Sequence, residues 1–101
     1  MPAKRALIMN PKDNVATTLK EIQSGDTVEI PRGEGVYIVT ATEDIPFGFK
    51  IAVENIPKGA TILKYGETIG MASQPIAKGE LVHVHNLEGT RARGDLERSK
   101  E

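Results

Sequence analysis

The chain predicts a mainly β domain with one amphipathic helix, an α+β arrangement of short strands. Three observations carry that expectation. The stretches Thr27–Ile30 and Val36–Thr42 are rich in β-branched residues and flank a Pro31-Arg32-Gly33-Glu34-Gly35 turn. Glycines recur between short apolar runs through the second half of the chain. Val15, Leu19 and Ile22 follow at four- and three-residue spacing, one apolar stripe of a helix.

Arg5 to Met9 reads as an opening strand, interrupted by Asn10-Pro11-Lys12-Asp13. Asp13 suits a helix N-cap, since its carboxylate can accept from the free N–H groups of a first turn. Gly25 stands where a residue of positive φ ends a helix, so residues 14–24 are expected to be helical. Beyond it, Ile45-Pro46-Phe47-Gly48, Ile56-Pro57-Lys58-Gly59 and Ile76-Ala77-Lys78-Gly79 share the form Ile-x-x-Gly. Each leads into a short strand: Lys50 to Val53, Ala60 to Lys64, and Glu80 to His85. The spacing is irregular, so this is no solenoid. It reads as a recurrent device, an isoleucine anchor followed by a glycine reversal.

At 101 residues the chain holds one domain, with room for a modest core and little for a sheltered active site. Residues 1–87 make the expected domain. Residues 88–101 form a charged tail, with Leu96 its only strongly apolar residue, expected to dock on a partner or stay mobile. With 13 basic and 14 acidic residues, no clear positive excess points to nucleic acid. Only Tyr37, Phe47, Phe49 and Tyr65 offer stacking surfaces. The absence of cysteine excludes disulfides, thiolate metal sites and cysteine nucleophiles. The apolar run Ala6–Met9 is short for a signal peptide, and nothing approaches the ~20 apolar residues of a membrane span. A cytoplasmic location is the expectation. Short exposed strands would allow edge pairing between copies, so a homo-oligomer is open.

The run Leu81-Val82-His83-Val84-His85-Asn86 holds both histidines of the chain. In a strand, residues two apart share a face, so Val82 and Val84 would enter the core while His83 and His85 project together. Three readings follow. As metal ligands the pair would need about one further protein donor, such as Asp44 or Glu54, or groups on a partner. As acid–base groups the two could protonate a leaving hydroxyl or hold a carboxylate. As ordinary residues they would be two surface histidines on a solvated face. Asn86 could orient His85, contact substrate, or end the strand. In Lys64-Tyr65-Gly66-Glu67-Thr68-Ile69-Gly70, the glycines suit a tight turn, with Tyr65 capping a small core. Arg93-Gly94-Asp95 matches an adhesion tripeptide and is read as coincidence.

Several of these segments together resemble a known module. They are Asp13-Asn14-Val15-Ala16, Gly48 with Lys50, Ile56-Pro57-Lys58-Gly59, Lys64-Tyr65-Gly66-Glu67-Thr68-Ile69-Gly70, and His83-Val84-His85-Asn86. The chain resembles the SAF-type amino-terminal domain of the altronate and galactarate dehydratase family over about residues 10–95. The resemblance implies a β-clip fold, and a module either fused ahead of a large catalytic region or made as a separate small subunit. The end at Glu101 fits the separate form, similar to the small subunit of sulfolactate sulfo-lyase.

The activity so implied is that of a hydro-lyase acting by β-elimination on an acidic sugar or sulfonated hydroxy acid. The partner would be a large catalytic subunit holding a divalent metal, Fe or Mn. His83 and His85 would then be catalytic, with Lys50, Lys64 and Asn86 binding substrate. A non-catalytic acid-binding or assembly module is the alternative. It draws on one departure: the family usually has Gly-His-Lys where this chain has Gly48-Phe49-Lys50. Phenylalanine neither ligates a metal nor moves a proton.

Overall fold

A computed structural model describes residues 4–89. Nine strands run in chain order: β1 (Lys4–Leu7), β2 (Val15–Thr18), β3 (Thr27–Arg32), β4 (Gly35–Thr40), β5 (Lys50–Ala52), β6 (Thr61–Lys64), β7 (Glu67–Ala72), β8 (Leu81–Val82) and β9 (Leu87–Gly89). Six form one sheet in the order β4-β3-β1-β2-β5-β8, and three form a second in the order β6-β7-β9. The expected domain boundary at residue 87 falls inside β9, and the expected tail from residue 90 lies outside the described residues.

The mainly β expectation holds, but the helix over 14–24 is replaced by strand β2 and a turn. Val15, Leu19 and Ile22 do not share a face. Val15 enters one core cluster, Ile22 the other, and Leu19 stands 41% exposed. The reason is pairing. Val15-Ala16-Thr17-Thr18 is flanked by β1 and β5, both antiparallel to it, and these satisfy its backbone from two sides. The weak helical preference of β-branched residues yields to that ladder. Asp13 caps no helix. Its buried carboxylate accepts from the backbone N–H groups of Met9, Asn10, Tyr65 and Gly66, at 2.7–3.2 Å. It thereby ties the β6–β7 hairpin turn to the bend after β1.

Strands β2 and β5 are the wall between two cores. Ala16, Ile51 and Val53 face a cluster with Ala6, Ile22, Val28, Ile30, Val39, Ala41 and Ile45. Val15 and Ala52 face the other, with Ile56, Ile62, Ala72, Ile76 and Val82.

The form Ile-x-x-Gly occurs five times: Ile30-Pro31-Arg32-Gly33 leads into the β3–β4 hairpin turn, and Ile22-Gln23-Ser24-Gly25, hidden in the expected helix, joins the other three as a fourth copy of the reversal device. Each copy follows a small buried residue four positions before its isoleucine: Thr18, Ala41, Ala52 and Ala72. The copies close in pairs as two clasps. Ile22 and Ile45 exchange both backbone hydrogen bonds at 2.8 Å, and so do Ile56 and Ile76. Around the first pair, the N–H of Gly25 donates to Ala41 and that of Gly48 to Thr18. Around the second, Gly59 donates to Ala72 and Gly79 to Ala52. All four glycines have φ between 85° and 93°, which only glycine adopts without strain.

Side chains complete the clasps by a rule legible in the residues. Where the position after isoleucine has an N–H, as in Gln23 and Ala77, an acidic side chain three residues on accepts it: Asp26 at 2.8 Å and Glu80 at 2.7 Å. Where that position is Pro46 or Pro57, no N–H needs a partner, and the matching residues are the apolar Phe49 and Ala60. Asp44 and Asn55 reach across each clasp to the N–H groups of Ser24 and Lys78, both at 2.9 Å. The first clasp is thus repeated as the second, with its two copies in reversed chain order.

Candidate functional site

The histidine run is not a strand beyond Val82. Residues 83–86 form a turn that carries the chain from β8 of the large sheet to β9 of the small one. Asn86 makes the turn. Its Oδ1 accepts from the His83 N–H at 2.9 Å, its Nδ2 donates to the Leu81 carbonyl at 2.8 Å, and its own N–H donates to the His83 carbonyl at 3.0 Å. A short polar side chain has outcompeted the strand ladder for these backbone groups. The expectation that Val84 enters the core fails, since it stands at the tip with 79% exposure, while Val82 is buried. Asn86 is 1% exposed and braces the turn, with its side chain directed inward.

His83 is half-buried, and its ring stands 4.7 Å from that of Phe49, tilted by 39°. Phe49 in turn packs against the first core. His85 is exposed, and its carbonyl accepts from Gln74 Nε2 at 2.9 Å. As for metal, the donors present do not make a centre. Among the described residues no three His, Asp or Glu side chains are grouped to hold an ion.

Lys50 lies on the opposite side of β5 from Phe49, because successive strand residues alternate. Its cross-strand partners are Thr17 on β2 and Val82 on β8, and Val82 is buried in the second core. Burial lowers the Lys50 pKa below the ordinary lysine value, and the charge of Lys64 lowers it further. Lys64, two residues beyond the buried Ile62 on β6, also has its ammonium 4.9 Å from the ring centre of Tyr65. That tyrosine is 54% exposed with φ 57°, forming the hairpin turn with Gly66 and leaving the expected core-capping role unfilled. Gly70 is no turn residue. It lies in β7, where a Cβ would collide with the Glu88 carbonyl of β9.

The sequence-derived constellation therefore divides. Lys50 and Lys64 both border the second core, with the charge of Lys64 felt at Lys50, while His83 lies with Phe49 across β5 and His85 sits on the exposed turn. Thr17, next to Lys50 in register, had no signal of its own while its segment read as a helix.

The model of the altronate/galactarate dehydratase SAF domain matches residues 4–90. The chain belongs to that family. An altronate dehydratase of Bacillus subtilis is 41% identical to this SAF domain over 85 residues, 84% of the chain and 16% of the relative. That of Escherichia coli is 40% identical over 74 residues, 73% of the chain and 14% of the relative. The (2R)-sulfolactate sulfo-lyase subunit alpha of Chromohalobacter salexigens is 43% identical over 47 residues, 46% of the chain and 50% of the relative. The SAF domain thus spans less than a fifth of the altronate dehydratases it matches. Among its described residues, no helix is long and apolar enough to cross a membrane.

Proposed function

We propose that this chain is the SAF component of a carbon–oxygen lyase of the altronate/galactarate type. It works with a large catalytic region, as a small subunit, and eliminates water from a sugar acid. The observation that carries the reading is the match to altronate dehydratases over most of this chain and a small fraction of theirs. A chain named as subunit alpha among the relatives supports a separate polypeptide. The paired clasps support reading the fold as a β-clip.

In this reading Lys50 and Lys64 bind the anionic end of the acid, as compact positive charges suited to a carboxylate. The large region supplies the base that removes the proton beside the carboxylate. It also holds the divalent metal expected of the reaction, Fe or Mn. His85, on the braced turn, protonates the departing hydroxyl, and His83, held against Phe49, stands at the start of the same turn. Lys50 and Phe49, which carries His83 against its ring, leave β5 on opposite sides, and β8 is the sheet edge. A substrate reaching both groups must lie over that edge, at the joint with the partner.

A second reading, an acid-binding module without a chemical role, is favoured by the Phe49–His83 stack, which holds one imidazole against the core. One experiment separates the two. The chain is recovered from its native extract with its bound large partner, and the complex is assayed for loss of altronate or galactarate. Replacing His83 and His85 together by alanine should lower turnover at saturating substrate at least a hundredfold. Unchanged turnover with a raised KM would sink the catalytic role and leave the binding one.

A further inference from the structure

One row of side chains crosses four strands. Leu7 of β1 pairs with Thr17 of β2, Thr17 with Lys50 of β5, and Lys50 with Val82 of β8. On β2 and β5 the row stands one step of alternation from the second core: Thr17 is two residues from the buried Val15, and Lys50 two from the buried Ala52. Lys64 is likewise two residues from the buried Ile62. The bulge in that hairpin falls on the facing strand, where Ile69 has no register partner, so β6 keeps its alternation. Thr17, Lys50 and Lys64 therefore converge on the same margin of the same core.

Two features of this margin are unsatisfied. The Thr17 hydroxyl oxygen is buried and has no hydrogen-bond partner among the described residues. Its neighbour Thr18 differs, donating to the carbonyls of Pro46 and Phe49 at 2.9 and 3.1 Å. Among the described residues neither lysine has a carboxylate partner. Burial, and then the charge of Lys64, disfavour the charged form of Lys50. A buried hydroxyl without a partner is also costly. A single group with two acceptor oxygens and a negative charge resolves both.

We propose that Thr17, Lys50 and Lys64 form a subsite for one carboxylate of a hydroxy acid, with the Thr17 hydroxyl as the donor that distinguishes a carboxylate from any nearby anion. The proposal deepens the dehydratase reading above and rests on it for the choice of acid. Lysine charge attracts anions of every shape, whereas a fixed hydroxyl on a central strand demands an acceptor at one place.

The test is a titration of the ¹⁵N-labelled chain with galactarate at neutral pH and low salt, following backbone amides. Sulfate and galactitol serve as controls for charge alone and polyol alone. The expected result is saturable shifts centred on Thr17, Lys50 and Lys64 with galactarate. Thr17→Val should weaken binding roughly tenfold, the effect of losing one charge-assisted hydrogen bond, and Thr17→Ser should restore it. Lys50→Met should weaken it at least as much. Equal binding of sulfate, or a Thr17→Val variant of undiminished affinity, overturns the subsite. If the complex turns over galactarate with a KM that Thr17→Val leaves unchanged, the subsite is wrong and the lyase reading survives. If the chain binds galactarate at Thr17 yet supports no turnover with its partner, the subsite stands and the lyase reading falls.

Discussion

The ring of Phe49 stands against the ring of His83, centroids 4.7 Å apart, while the next residue, Lys50, lies across β5 beside the second core. One dipeptide thus serves two sides of the sheet. Phe49 supports the histidine turn, and Lys50 supplies charge to the other face. Replacing Phe49 by leucine keeps apolar volume but removes the aromatic ring current. The ring protons of His83 should shift in the NMR spectrum while those of exposed His85 stay in place. Equal movement of both would show that the stack is not present in solution. Phe49→Ala should cost about 2 kcal/mol, below the range for a fully buried phenylalanine.

Lys50 makes stability depend on alkaline pH. Its folded pKa lies below the ordinary value of 10.5, first by burial and then by Lys64. The unfolded chain therefore binds more protons than the folded one between the lowered pKa and about 10.5, so stability rises with pH across that window. Lys50→Met should raise the melting temperature at neutral pH and lose that advantage above about pH 10.5. A gain that persists unchanged at higher pH would mean packing, and not charge, is responsible.

The clasp rule predicts a compensated double substitution. Glu80→Ala alone leaves the Ala77 N–H without its acceptor and should cost about 1 kcal/mol. Ala77→Pro removes that N–H and recreates the arrangement of Pro46 with Phe49 and Pro57 with Ala60. The double variant should melt closer to the parent than Glu80→Ala does. An additive loss in the double-mutant cycle would show that the two copies are not equivalent.

Gly25 and Gly79 share φ 93°, so alanine strains the backbone equally at both. They differ in space. A Cβ on Gly25 meets nothing, whereas one on Gly79 runs into the Thr40 carbonyl. Gly25→Ala should cost about 1–2 kcal/mol, and Gly79→Ala clearly more. Denaturant midpoints of the two variants measure the difference.

Asn86→Ala removes the brace of the histidine turn, leaving the His83 N–H and the Leu81 carbonyl unpaired. The loss should be about 2–3 kcal/mol. Amide exchange should accelerate first in Leu87–Gly89, the strand that the turn delivers to β7. Asn86→Asp retains the acceptor and should fall between alanine and the parent.

Composition and punctuation determined much of this molecule. The β-branched runs 27–30 and 36–42, the turn between them, the buried isoleucines and the glycine reversals were all legible, because each is a local preference acting over a few residues. The family was legible too, in Lys-Tyr-Gly-x-x-Ile-Gly and His-Val-His-Asn. What misled was periodicity in a short window. Val15, Leu19 and Ile22 fit a helix by spacing alone, and that reading hid the copy of the clasp at Ile22 and with it Thr17. His83 and His85 fit a strand in the same way until Asn86 took the backbone groups that a strand would have used. Local sequence sets what each segment can form. Only the tertiary structure decides which partner satisfies each strand's backbone N–H and carbonyl groups, because partners such as β5 for β2 lie far along the chain. That choice made β2 a strand between two cores, set Lys50 and Lys64 at the border of the second core, and put His83 on the other side of β5.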